Sequence, residues 1–389
     1  MNKPVFFSMS SQKIFQHTVF FCFLLAVFLL FCRQDAIAQN DSVSAGNPDP
    51  KPYYFYHGYT YGSQAMFNPL TLVLNTGYDI CQLSANDRHI FNFPYAVSLK
   101  NVFWNLGHPN KVIGEVGWDK FMRTEIFPLS FSREGGQWMP NYVLHLFGGG
   151  MSYVTISEWY RYHDVKYPRL LGFVTVMAAD ILNETMEDNG YIGSNSDPIP
   201  DMYFFNFAGV ALFSSKKVCR FFSEELHMAD WSLQPSVTFT DISLYNCGQY
   251  FSFKWELPFE RRLSLFTRMG LGTLIGASWK FKNGTALSLG AGVRSGERVL
   301  LPGTAREVTV TTPFSVGMFY DRNNSLLASL VISNVDDYFI NANVYPGLFR
   351  IGKFSTGLWA VIDKKGYPAF GFATRYTLGL GLGYSFMKY

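Results

Sequence analysis

The sequence predicts a mainly β chain: a transmembrane antiparallel β-barrel of roughly eight to ten strands, with an N-terminal helical region that plugs it or lies on its periplasmic side. Three observations predict this. The chain opens with an export-type leader. Aromatic residues make up 18% of it and charged residues only 16%, yet after residue 38 no apolar run reaches the roughly 18 to 20 residues of a spanning helix. From about residue 230 the hydrophobic period becomes two.

The elements follow in chain order. Lys3 and Lys13 form a basic start, Val19–Cys32 is an unbroken apolar run, and Ala36-Ile37-Ala38 is a small-residue cleavage pattern. Residues 1–38 therefore read as a removable signal peptide. Cys32 as a lipid-bearing residue fits less well, because bulky Phe31 precedes it. Cleavage removes three cations and one anion, taking the formal charge from +3 to +1. Without a basic patch, nucleic acid is not an expected partner. Cys81, Cys219 and Cys247 remain, widely spaced and without a CxxC pair, so no zinc ribbon or redox motif is present.

Residues 39–52 are polar and read as a disordered leader. Residues 53–139 are aromatic-rich and irregular, with turns expected at Asn75-Thr76-Gly77 and Gly107-His108-Pro109-Asn110. Residues 140–213 read as a polar three-helix segment. The first helix runs from Met139-Pro140 to about Asp164. The second, Arg169 to Asp188, is stopped by Asn189-Gly190, which tolerate the left-handed conformation of a helix end. Asp201 is expected to cap the third, MYFFNFAGVALF.

Residues 230–389 carry the strands. Phe251, Phe253, Trp255, Leu257 and Phe259 alternate with Ser252, Lys254 and Glu256. The same split recurs at Leu263–Leu271, Leu287–Val293, Phe314–Tyr320, Tyr338–Val344 and Leu378–Phe386, with turns at Lys282-Asn283-Gly284, Asp321-Arg322-Asn323-Asn324 and Lys364-Lys365-Gly366. Lipid rewards large apolar side chains on one face of each strand. A narrow interior admits small or polar ones on the other. A water-exposed barrel or sandwich inverts this, placing polar groups outside.

On these residues the chain resembles bacterial outer-membrane β-barrel proteins, over about 160 residues of its C-terminal half. The likeness rests on the leader, the alternating strands and the terminal LGLGLGYSFMKY. It implies an outer-membrane location, contact with membrane lipid and lipopolysaccharide, and insertion by the barrel-assembly machinery. The register departs in one respect: Tyr389 counts onto the face opposite Tyr384 and Phe386.

The helical segment holds the candidate site. His145, Gly149 and Ser152 share one face at helical spacing, and Gly148, Gly149 and Gly150 permit close approach of a second element, as does Gly209. Asp180, Glu184 and Glu187 form a carboxylate stripe beside Asn183. Such a stripe among apolar neighbours demands partners, with His145, Arg268 and Arg294 as candidates. His145, Glu184-x-x-Glu187, Asp201 and Asn206-x-x-Gly209 are similar to the polar signature of VanZ-like membrane helical families. They depart from it in carrying Glu187 for an amide and one extra residue between Asp201 and Asn206. The resemblance implies a buried, hydrogen-bonded polar set in closely packed helices.

Two functions compete. One is a non-enzymatic barrel with a structural, accessory or narrow-pore role. The other is a lipid A or phospholipid acyl hydrolase or transferase, with His145 as base, Ser152 as nucleophile and Glu184 as orienter. Against the second, two helical turns separate His145 from Ser152, about 10 Å of rise, and Ser157 and Ser194 are no better placed. His108, His163 and His227 read as surface or core histidines. Calcium at Asp180, Glu184, Glu187 and Asp188 lacks the EF-hand spacing, and the glycine triplet lacks the GxxxxGK[ST] phosphate loop. No metal or cofactor is expected.

Overall fold

A computed structural model describes residues 53–83, 88–128, 139–296, 298–300, 308–349 and 355–387. Residues 1–38, read from the sequence as a signal peptide, residues 39–52, read as a leader, and Tyr389 lie outside them.

Most of the C-terminal half is one antiparallel meander. Its ten strands are β4 (Phe251–Leu257), β5 (Glu260–Gly270), β6 (Gly272–Lys280), β7 (Thr285–Arg294), β10 (Phe314–Arg322), β11 (Ser325–Ser333), β12 (Ile340–Val344), β13 (Gly357–Ile362), β14 (Pro368–Ala373) and β15 (Gly381–Ser385). A separate hairpin, β8 (Arg298–Leu300) with β9 (Val308–Val310), interrupts it. Three short strands, β1 (Ala229–Asp230), β2 (Ser236–Thr238) and β3 (Leu244–Tyr245), bring the sheet to thirteen. The turns fall where expected. Asn323 and Asn324 take positive φ in the β10–β11 hairpin, and Gly284 and Gly366 do so in theirs.

The ladder is not closed into a barrel, and its edges are β1 and β3. Yet β1 and β2 belong to one stretch of chain. Ala229 and Asp230 pair with β4, the first meander strand, and Ser236 to Thr238 pair in parallel with β15, the last. The stretch 229–238 thus touches both ends of the meander.

Strands far apart in the ladder send side chains to a shared core. Phe266 (β5), Leu274 (β6), Phe319 (β10), Val331 (β11) and Ala373 (β14) meet around Trp231, so the sheet curls about them. The same face carries buried polar groups. Lys254 Nζ lies 2.5 Å from Asp321, the Arg268 guanidinium lies 3.5 Å from the Tyr250 ring centroid, and Asn341 and Asn343 bond to Asn246. On the other face, Trp255 is 60% exposed, Ile275 56% and Leu289 53%, whereas Ser252 and Ser288 are fully buried.

Four meander strands escaped the periodicity, β6, β11, β13 and β14, as did the short β1, β2, β3, β8 and β9. In β11, SLLASLVIS, both faces are buried, so polar alternation is absent. The stretch read as beginning at Leu378 becomes a strand only at Gly381, because Leu378 is left-handed. Tyr338, expected outside, is fully buried beside Tyr245 and Trp359.

Asn75-Thr76-Gly77 is no free turn. It ends α1 (Pro69–Gly77), whose start Asn68 caps reciprocally with Thr71. The Asn68 amide also donates to Leu378 O at 2.8 Å, tying α1 to the approach to β15. Next come α2 (Tyr95–Gly107) and α3 (Pro109–Val116), meeting at the expected His108 turn. The polar segment forms α4 (Gly150–Tyr162), α5 (Pro168–Asp188) and α6 (Asn206–Phe213). Asn189 closes α5 in the left-handed conformation, as its sequence predicts. Met139–Gly149 and Asp201–Phe205 are π-helical lead-ins.

The three helices of the polar segment lie against the start of β4 and the 229–250 stretch, while Met66 and Gln82 of the preceding segment reach the sheet's interior, Met66 beside Trp231 and Gln82 at Arg294. Gly148 lies against Phe251, which alternates with the interior residues Ser252 and Lys254 and so faces the other way. Phe251 packs with Met151, Phe213 and Cys219, and Leu244 and Cys247 pack with Ile80, Cys81 and Met186. The helical layer covers Phe251, at the start of β4, and part of the 229–250 stretch, and leaves Trp255 further along β4 exposed. The interior is already occupied by Trp231, Tyr250 and Tyr345. No helix among the described residues is long and apolar enough to cross a membrane.

Candidate functional site

The two π-helical segments explain how the polar residues meet. An i→i+5 turn holds one residue more than an α-turn, and such segments recur at functional sites. The amide of Asn206 donates to Asp201 O across the second of them. The extra residue noted between Asp201 and Asn206 is thereby absorbed, and both side chains reach His145. Asp201 does not cap a helix as expected; its carboxylate turns inward.

Glycines bring the elements together. A Cβ on Gly209 would lie 2.6 Å from Leu146 O and 3.1 Å from His145 O, and one on Gly150 would lie 2.7 Å from Gly209 O. The start of α6 therefore rests on the backbone that carries His145. From the third side α5 delivers Asp180 and Glu184.

His145 Nδ1 is 3.2 Å from Asn206 Oδ1, and its Nε2 is 3.5 Å from Asp201 Oδ2. One donor atom each from His145, Glu184 and Asp201 lies within 4.8 Å of the other two, and all three residues are buried. Asn206 presents its carbonyl oxygen to the ring, an acceptor that pairs with a proton on Nδ1 and leaves Nε2 facing Asp201.

Burial raises the carboxyls of Glu184 and Asp201 well above the usual range. Neighbouring carboxylates, Asp201 for Glu184 and Asp197 for Asp201, add to the effect. The two share a hydrogen bond that partly offsets the rise for Asp201. Burial also lifts Asp180 to about 6, opposed by nearby His145. Even so, Asp180 Oδ2, Glu184 Oε2 and Asp201 Oδ1 find no hydrogen-bond partner among the described residues, and no described lysine or arginine forms an ion pair with these three groups. The arginines suggested as partners are engaged elsewhere: Arg294 donates to Gln82 Oε1 at 2.7 Å and Arg268 stacks on Tyr250.

The remaining sequence candidates divide. Ser152 is buried, and its hydroxyl accepts from Gln249 Nε2 at 2.9 Å, while His145 meets Asn206 and Asp201. Asn183 donates to Asp79 at 2.8 Å and to Thr76 O at 3.1 Å, away from His145. Glu187 acts at longer range, its charge raising the carboxyls of Asp79, Glu184 and Asp201. Gly148 meets Phe251 and Gly149 faces Asn206 Oδ1 at an ordinary 3.6 Å. His108 and His163 bond locally to Trp104 O and Trp159 O at exposed positions, and His227 lies 3.4 Å from Glu256.

Sequence reasoning missed Asp197, whose charge raises the Asp201 carboxyl, and Glu125, whose own carboxyl is raised by burial, Asp197 and Asp201. Glu125 stood in the irregular aromatic-rich stretch, and Asp197 stands before Pro198-Ile199-Pro200, between the second and third helices. It also missed Glu158, whose carboxylate accepts the amides of Tyr54, Phe55 and Tyr56 at 2.7 to 2.9 Å and anchors the N-terminal segment to α4. Nothing local in the sequence pairs these residues, which lie about a hundred positions apart.

No protein-family model, no curated protein and no solved structure matches the chain.

Proposed function

We propose that the chain is an exported outer-membrane β-barrel protein with a structural or accessory role in the envelope, in contact with membrane lipid and lipopolysaccharide and inserted by the barrel-assembly machinery. One observation carries the reading: the sheet is inside-out. Its buried face holds Ser252, Lys254, Arg268, Ser288, Arg294 and Asp321, while its outward face exposes Trp255, Ile275, Leu289, Phe370, Tyr384 and Phe386. Water punishes such a surface, since monomeric proteins rarely expose large contiguous apolar patches. Hydrocarbon rewards it, each apolar side chain on the lipid face replacing a contact that water would oppose.

The contact of residues 229–238 with both ends of the meander supports closure, because an open edge in hydrocarbon leaves backbone groups unpaired. The packed interior around Trp231, Tyr250 and the Lys254–Asp321 pair favours a structural role over a pore. The lipid-hydrolysing reading with His145, Ser152 and Glu184 has less support: Glu184 lies beside His145, but Ser152 bonds to Gln249.

The test is reconstitution of the mature chain into vesicles with brominated acyl chains. Outward Trp255 and Trp279 are expected to be quenched, and replacing both by Phe to abolish most of the quenching; replacing interior Trp231 and Trp359 leaves it intact. A protein recovered without detergent in the soluble fraction, its Trp255 emission unchanged by brominated lipid, would refute the reading.

A further inference from the structure

We propose that His145, Glu184 and Asp201 bind a single divalent transition-metal cation, with Asn206 and Asp180 as supporting groups. The site lies in the helical layer, and the inference stands whether or not the sheet faces lipid.

Three features of the geometry carry it. The first is convergence. The donors come from a π-helical lead-in, from α5 and from a second π-helical turn, and their ligand atoms lie within 4.8 Å of one another. Ligand atoms on one cation at bond lengths of about 2.0 to 2.2 Å stand roughly 3.4 Å apart in tetrahedral geometry. The 3.5 Å between His145 Nε2 and Asp201 Oδ2 already matches.

The second is orientation. The contact of Nδ1 with Asn206 Oδ1 turns Nε2 toward Asp201, the orientation that metal-binding histidines take when an outer carbonyl or carboxylate holds the other ring nitrogen.

The third is unmet demand. Glu184 Oε2, Asp201 Oδ1 and Asp180 Oδ2 are buried without hydrogen-bond partners among the described residues, although the great majority of buried polar atoms have one. A neutral imidazole and two carboxylates carry two negative charges, which a divalent cation neutralises. The ligands would bind deprotonated. One nitrogen among oxygens selects zinc or manganese over calcium or magnesium, which take all-oxygen sets.

The experiment uses the full mature chain in detergent, stripped by chelator and titrated separately with Zn²⁺, Mn²⁺ and Ca²⁺. Bound metal is counted by mass spectrometry after desalting, and the melting temperature is read beside it. One equivalent of Zn²⁺ or Mn²⁺ per chain is expected, with a raised melting temperature. Glu184→Gln and Asp201→Asn should each weaken binding at least a hundredfold and Asn206→Ala about ten- to a hundredfold, while His163→Gln, at an exposed position, leaves it unchanged. A readout independent of any variant is Co²⁺ loading of the wild-type chain, which should give visible absorption bands of a low-symmetry nitrogen–oxygen site. No saturable binding of Zn²⁺ or Mn²⁺, binding of Ca²⁺ alone, or equal binding by folded Glu184→Gln and wild type would each overturn the proposal.

Discussion

Alanine substitution along Gly148-Gly149-Gly150, and at Gly209, makes the sharpest stability prediction, because chemically identical changes meet different surroundings. At Gly149 the backbone is ordinary right-handed helix, with φ −61° and ψ −42°. An added Cβ there finds nothing closer than Asn206 Oδ1 at 3.6 Å. Gly149→Ala should therefore be neutral or gain up to about 1 kcal/mol from helix propensity. At Gly150 the Cβ would sit 2.4 Å from a Phe213 ring carbon and 2.7 Å from Gly209 O; at Gly209 it would sit 2.6 Å from Leu146 O. Ordinary contact begins near 3.4 Å, so α4 and α6 must separate by most of an ångström. Backbone cannot rotate aside as a side chain can, and overpacking of this kind costs about 1 to 3 kcal/mol. Since Gly150 and Gly209 oppose each other across one contact, Gly150→Ala with Gly209→Ala should cost clearly less than the sum of the two. Denaturant unfolding of the four variants and the double variant, read by tryptophan fluorescence, measures this. Equal destabilisation by Gly149→Ala and Gly150→Ala, or strict additivity of Gly150→Ala and Gly209→Ala, refutes the close-packing argument.

Other predictions follow from single observations. Lys254→Met strands Asp321 in the interior and should cost about 3 to 5 kcal/mol, whereas Lys254→Met with Asp321→Leu recovers most of it, as urea unfolding will show. Ile275→Arg on the outward face should cost about 2 to 4 kcal/mol in vesicles if that face meets hydrocarbon, and next to nothing if it meets water. Burial, reinforced by the charge of Glu187 and opposed by the hydrogen bond from Asn183, raises Asp79 from 3.8 to about 8. The folded chain then holds a proton that the unfolded chain has released. The stability from this group is complete below about pH 4, shrinks as pH rises by up to about 1.4 kcal/mol per unit, and is gone above about pH 8. Asp79→Asn keeps the acceptor for Asn183 and should flatten that part of the profile; an unchanged slope between pH 4 and 8 would sink the assignment.

The sequence determined what depends on neighbours along the chain. Alternation between large and small residues defined β4, β5, β7 and β10, because side chains of a strand point to opposite faces in turn and the two faces meet different surroundings. The Asn-Gly and Asn-Asn turns and the stop at Asn189 were legible because left-handed backbone restricts which residues can stand there. The glycine positions of close approach and the polar set His145, Glu184, Asp201 and Asn206 were legible too, though not as a site with mutual distances.

Tertiary structure alone decided the rest. β11 lost its alternation because both of its faces are covered, one by the core around Trp231. The helices of the polar segment met β4 at Phe251, where Met151, Phe213 and Cys219 pack on it, while Trp231 and Met66 went to the interior. Ser152 turned to Gln249 and Asn183 to Asp79, partners set by packing across about a hundred residues of chain. The spacing from Asp201 to Asn206 looked like a mismatch until a π-turn absorbed it. Local pattern fixes which face of an element is apolar; which element covers that face, and which carboxylate meets which imidazole, is set by contacts between residues that the sequence holds far apart.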